Sequence, residues 1–188
     1  MSDATLKRIE KTLETICEQQ ARICERLGYL EERVANPDVA TRKEVMDFLD
    51  KFGAGEAFGE ALFGAWLAVS DTDCVRGGLR TIQMREGMHA HLLHARLEAL
   101  GGTPRFEYDD SVREAAMKTF GGVDMTDAQK LSTIMSQFGS ADSVLEELTN
   151  LTARLANDRE TQSLLQTIEQ DERSTLVFLE QACELLNG

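Results

Sequence analysis

The sequence predicts an all-α protein, with an N-terminal coiled-coil helix over residues 1–36 and a four-helix bundle over residues 40–188. Helix-favouring residues such as Ala, Leu, Glu, Gln and Arg are abundant, and there are only 2 prolines. Apolar residues recur with the period of a helix, whereas the alternation that is typical of strands is rare. Stop signals divide the chain into successive helical stretches.

The N-terminal stretch carries a heptad repeat over residues 6–34, with mostly Leu at the a positions and mostly Ile at the d positions. This combination disfavours a two-stranded coiled coil and favours three or four strands. We therefore expect a homo-oligomer that forms through residues 6–34. The alternative is an amphipathic helix that docks on the bundle of its own chain. Asn36-Pro37 ends this helix in either case.

Charge and composition exclude several classes of partner. The net charge of −13 argues against nucleic acid and against a membrane surface, because both attract clusters of Lys and Arg. The longest nearly apolar run, Ala61–Val69, is too short to span a bilayer, and we see no signal peptide. The cysteines lack a CxxC pair, which indicates reduced thiols in a cytoplasmic protein. They are Cys17, Cys24, Cys74 and Cys183.

The bundle is predicted as two helical hairpins. The first two helices run from about Ala40 to Ser70 and, after a break, on to Leu100. Residues 105–125 then form a long connection with one short helical piece, before a third helix opens at Thr126-Asp127. Asn157-Asp158 marks the join to the fourth helix. A bundle with a long crossover between helices two and three has the ferritin-like connectivity.

The two hairpins match each other without a gap at an offset of 86 positions. Phe52-Gly53 recurs as Phe138-Gly139, and Glu86 recurs as Glu172. Two similar hairpins that face each other would form a bundle with pseudo-two-fold symmetry. A pair of metal ions could lie on that axis.

Each bundle helix places a carboxylate at the centre of its apolar face. These carboxylates belong to Glu56, Glu86, Asp142 and Glu172. Converging buried carboxylates repel each other, so they must take up protons, pair with bases or bind cations. His89 adds an imidazole beside Glu86. Carboxylates with one imidazole suit iron or manganese, and one or two ions are expected.

Spacing along the chain supports this arrangement. In both hairpins 30 residues separate the two central acids, so each pair should lie at nearly the same height on its antiparallel helices. Glu60 and Glu146 lie about one turn from the central acids and are the second-choice ligands.

The segment Arg85–Leu93, with Glu86 and His89 in a Glu-x-x-His pattern, and the following Leu100–Pro104 resemble the second helix of ferritin-like di-iron proteins such as rubrerythrins. The resemblance covers residues 40–188. It implies a ligand set drawn from all four helices. That set would be Glu56, Glu86, His89, Asp142 and Glu172.

One ligand of the family pattern is missing, because Thr175 stands where a second histidine is expected. The resemblance therefore implies a metal-binding protein, with redox chemistry on oxygen or peroxide as the activity to test. The alternative is a metal-free ferritin-like protein that acts as an oligomeric scaffold. A haem pocket with His89 as axial ligand ranks last.

Overall fold

The structure, a computed structural model, describes residues 39–137 and 140–187. All the regular structure in these residues is helical, which confirms the all-α class there. The predicted coiled coil of residues 6–34 lies outside the described residues. No helix among those described has the length and apolar character needed to cross a membrane. The helices are α1 (Arg42–Val69), α2 (Asp73–Ala99), α3 (Asp110–Gly121), α4 (Asp127–Gln137), α5 (Ala141–Val144), α6 (Glu146–Ala153) and α7 (Arg159–Asn187).

Helices α1 and α2 form the first hairpin, as predicted. They pack against each other along their lengths, and the apolar faces that the sequence predicts are buried. Leu49 and Trp66 of α1 and Leu79 and Leu93 of α2 are completely buried. This hairpin carries three of the predicted metal-ligating residues on its inner faces.

The predicted stop after Leu100 has the geometry of a Schellman motif. Gly101 adopts a positive φ of 77°, which is unfavourable for residues with a side chain. Its N–H donates to the carbonyl of Glu98, and the N–H of Gly102 donates to the carbonyl of Leu97. The chain therefore turns sharply out of α2 and enters the long connection that contains α3.

A buried carboxylate anchors the start of α4 to the first hairpin. Asp127 accepts hydrogen bonds from the indole N–H of Trp66 at 2.6 Å, from the hydroxyl of Ser70 at 2.8 Å and from the N–H of Thr72 at 3.2 Å. Burial alone would raise the pKa of Asp127, but these donors outweigh it and lower the pKa. Asp127 therefore remains charged and holds α4 beside the turn between α1 and α2.

The third long helix that the sequence predicts is not continuous. Three shorter helices, α4, α5 and α6, form in the residues predicted for it, and both α4 and α6 pack against α7. Ser140 caps α5 by accepting a hydrogen bond from the N–H of Ser143, and Leu145 separates α5 from α6. The fourth predicted helix is present as α7, which also packs against α2.

Candidate metal centre

Acidic residues from three helices surround His89. The Nδ1 atom of His89 lies 3.2 Å from Oε2 of Glu56 and 3.2 Å from Oε1 of Glu172. One potential ligand atom from each of these three residues lies within 4.8 Å of the others. Glu86, one turn before His89 on α2, is also buried and shares a hydrogen bond with Glu56. The structure thus brings together Glu56, Glu86, His89 and Glu172.

The second ring nitrogen of His89 faces a residue that the sequence analysis did not single out. Nε2 lies 3.2 Å from Oδ2 of Asp171, and Oδ1 of Asp171 lies 3.8 Å from Nε of Arg85. A metal-ligating histidine usually donates its other N–H to a carboxylate, which fixes the ring and its tautomer. Asp171 can perform this task if Nδ1 is the ligand atom. Both ring nitrogens thus face carboxylates, which disfavours the haem alternative.

Burial and neighbouring charges raise the pKa values of the two buried glutamates of the site. Burial raises the pKa of Glu86 well above its ordinary value, and the nearby charges of Glu56 and Glu172 raise it further. Burial also raises the pKa of Glu56, although its hydrogen bond with His89 acts in the opposite direction. Glu86 is therefore the protonated partner and donates to the carboxylate of Glu56.

His89 carries a positive charge in this arrangement. Burial opposes its charged form, but the close carboxylates of Glu172, Glu56 and Asp171 outweigh burial and raise its pKa to about 10. An imidazolium beside the carboxylates of Glu56 and Glu172 reduces their mutual repulsion. Without metal, His89 therefore carries an extra proton at neutral pH, and the proton between Glu86 and Glu56 lies on Glu86.

Two buried oxygen atoms, one of them in the site, have no hydrogen-bond partner among the described residues. They are Oε1 of Glu172 and Oγ1 of Thr175, both on α7. Oε1 of Glu172 lies near Nδ1 of His89, but the single Nδ1–H bonds to Glu56. Unsatisfied buried acceptors are costly and call for an occupant. A divalent cation fits, because the surrounding donors are carboxylate oxygens and one imidazole nitrogen.

Asp142, predicted at the centre of a buried face, instead lies on the surface. Its side chain is 85% exposed and accepts a hydrogen bond from Nη1 of Arg173 at 2.8 Å. The prediction assumed a continuous third helix, but the break into α4, α5 and α6 changes the direction in which residue 142 points. Arg173 also pairs with Glu169 at 2.9 Å. Asp142 and Glu169 therefore pair with an arginine outside the candidate centre.

The two second-choice acids also lie outside the centre. Glu60 is exposed, and its carboxylate lies over Gly87 of α2, where an added Cβ would come within 2.7 Å of it. Glu146 is exposed in the first turn of α6. Thr175, which occupies the position of the missing histidine, is buried on α7. The cluster is therefore smaller and less symmetric than the repeat predicts.

This candidate centre combines residues of α1, α2 and α7 that are far apart in the sequence. Comparison of the chain with protein-family models, with curated proteins and with solved structures gives no match. The geometry and protonation of these side chains are therefore the basis for assigning a function.

Proposed function

We propose that the chain is a ferritin-like metal-binding protein in which Glu56, Glu86, His89 and Glu172 hold divalent iron or manganese. The observation that carries this proposal is the meeting of Glu56, His89 and Glu172, from three helices, with ligand atoms within 4.8 Å. Oε1 of Glu172, which is buried without a hydrogen-bond partner among the described residues, supports it. An iron or manganese ion would supply redox chemistry on oxygen or peroxide when bound.

The order and packing of the helices support a ferritin-like bundle. A hairpin of α1 and α2 is followed by a long connection and then by a second half in which α4 and α6 pack on α7. Residues related by the repeat have similar burial in α2 and α7, as in Leu79 with Leu165 and Ile82 with Ile168. In this proposal the three short helices α4, α5 and α6 take the place of the third bundle helix.

The asymmetry of the site favours one ion over two. Asp142 lies on the surface, and Thr175 replaces the second histidine, so the second half contributes only Glu172 to the cluster. Asp171 contributes indirectly, because its carboxylate can accept the Nε2 proton of His89. The lone pair of Nδ1 would then be directed towards Glu56 and Glu172.

Substitution of one ligand tests the proposal. The full chain is freed of metal with a chelator and titrated with Mn²⁺ by calorimetry and electron paramagnetic resonance. Glu172→Gln is expected to weaken binding by at least about tenfold, since it removes a charged ligand. The matched control is Asp142→Asn, which removes an exposed acid and should bind as the unmodified chain does. Equal losses in both variants, or no binding of Mn²⁺ or Fe²⁺ by the unmodified chain, would refute the proposal.

A second candidate function is that of a metal-free scaffold, which would assemble through residues 6–34. One observation favours it, namely that the imidazolium of His89 already has carboxylate neighbours on both ring nitrogens. The imidazolium already offsets part of the negative charge of these carboxylates without a metal. In that case a chelator leaves the thermal stability of the native protein unchanged, whereas the metal-binding function requires a loss.

A glycine at the hairpin interface makes room for Glu86. A Cβ at position 59 would lie 2.2 Å from Oε2 of Glu86, whereas a Cβ at Gly77 would meet nothing within 4 Å. Gly77→Ala is expected to stabilise the chain by up to about 1 kcal/mol through helix propensity. Gly59→Ala should lose that gain and weaken Mn²⁺ binding by about tenfold or more, because the ligand must move. Urea unfolding and Mn²⁺ titration check both variants, and identical behaviour of the two would contradict this role of Gly59.

A further inference from the structure

A cavity with a volume of about 210 Å³ lies apart from the metal centre, and no residue of that centre lines it. Its walls come from α1, from α2 and from Pro104–Tyr108, the segment between α2 and α3 that we call the strap. Arg113, near the start of α3, completes the lining.

The strap is held in a defined position. The carboxylate of Asp50 accepts hydrogen bonds from the N–H groups of Arg105 at 2.8 Å and of Phe106 at 3.1 Å. The ring of Tyr108 packs against Phe58 of α1, with ring centroids 5.0 Å apart, and against Phe106 at 5.3 Å. The cavity therefore has a formed aromatic wall.

Polar side chains without partners line the same cavity. The guanidinium groups of Arg105 and Arg113, the hydroxyl of Tyr108 and the ring of His94 make no hydrogen bond or ion pair with other described residues. The chain has 33 acidic and 20 basic residues, so carboxylates are abundant, and Arg96 pairs with one of them. Arg105 and Arg113 nevertheless have no carboxylate partner among the described residues. Glu107 is the only acid among the described residues of the lining.

We propose that this cavity binds a small organic acid. The carboxylate would lie between the guanidinium groups of Arg105 and Arg113, because the planar guanidinium fork matches a carboxylate in two-point hydrogen bonding. The apolar body would pack against the rings of Phe58 and Tyr108. The volume lies below the roughly 300 Å³ at which sites for drug-sized ligands begin, so the acid is about the size of benzoate.

Benzoate serves as the probe, with the full chain as the receptor. Calorimetric titration should show saturable binding of benzoate, and the double variant Arg105→Gln/Arg113→Gln should weaken it by at least about tenfold. Benzyl alcohol, which has the same ring without the charge, should bind at least about tenfold more weakly than benzoate. The matched control is Arg80→Gln, an exposed arginine of α2 outside the cavity lining. It should leave benzoate binding unchanged.

Several outcomes would overturn this inference. They are absence of benzoate binding, equal binding of benzyl alcohol, an equal loss in Arg80→Gln, or tight binding of inorganic phosphate without benzoate binding. The proposal is separate from the metal function, since Glu172→Gln should bind benzoate as the unmodified chain does. A failure of one proposal therefore leaves the other intact.

Discussion

Between about pH 8 and pH 6, the affinity of the chain for Mn²⁺ is expected to fall by about a hundredfold to ten-thousandfold. Burial and nearby acids raise the pKa of Glu86 well above its ordinary value. Burial opposes the charged form of His89, but its carboxylate contacts raise its pKa to about 10. A divalent ion must displace the extra proton of His89, and the raised pKa of Glu86 adds to this competition. Each displaced proton lowers the apparent affinity by up to about tenfold for each pH unit.

Calorimetry in two buffers of different ionisation enthalpy measures the protons released. We expect between about one and two protons for each Mn²⁺ ion near neutral pH. Asp142→Asn should release the same number, since its carboxylate is exposed and outside the centre. An affinity that does not change with pH, or binding without proton release, would show that the ion binds elsewhere.

Stability of the metal-free chain should change with pH in the opposite direction. The pKa of His89 is about 10 in the folded chain and 6.5 without the fold. Its contribution to the free energy of unfolding is therefore complete below about pH 6.5 and is lost as the pH rises towards 10. The difference between these two pKa values corresponds to a loss of at most about 5 kcal/mol. The side chain is 1% exposed, so water screens its charge poorly. Because the pKa of Glu86 is also raised in the folded chain, its contribution to the free energy of unfolding likewise falls as the pH rises above 4.5.

Urea unfolding in the presence of a chelator, at several pH values, checks this expectation. His89→Gln should be less stable than the unmodified chain at pH 6 and should show a much flatter pH profile. His91→Gln is the matched control, because His91 is exposed on the same helix and should leave the profile unchanged. A stability that increases between pH 6.5 and 10 would contradict the charged state assigned to His89.

The sequence predicted the first hairpin well, together with the burial of its candidate ligands. The spacing of Glu56 and Glu86 on antiparallel helices places them at similar heights, and both are buried. The position of His89 one turn after Glu86 puts both on the same face of α2. These relations follow from helix geometry within one hairpin, so a periodic pattern is enough to find them.

The second half could not be predicted as fully. The repeat predicted that residues 126–157 form one long helix, like the first helix of the first hairpin. Ser140, which caps α5, was therefore not recognised as the start of a new helix. Asp142 therefore seemed buried, although it pairs with Arg173 on the surface. Asp171 was missed for a different reason. Its partner, His89, lies on another helix, and the relative rotation of two helices is set by packing rather than by the pattern of either one.

The bond between Trp66 and Asp127 gives the protein an intrinsic optical label. Trp66 is the only tryptophan, it is completely buried, and its indole N–H binds a carboxylate on the first turn of α4. Its fluorescence therefore reports on the packing around this ring, which includes Phe120 of α3 and the docking of α4 against the first hairpin. Loss of this packing exposes the indole to water and shifts its emission to longer wavelength, so local opening can be followed in any variant without an added dye.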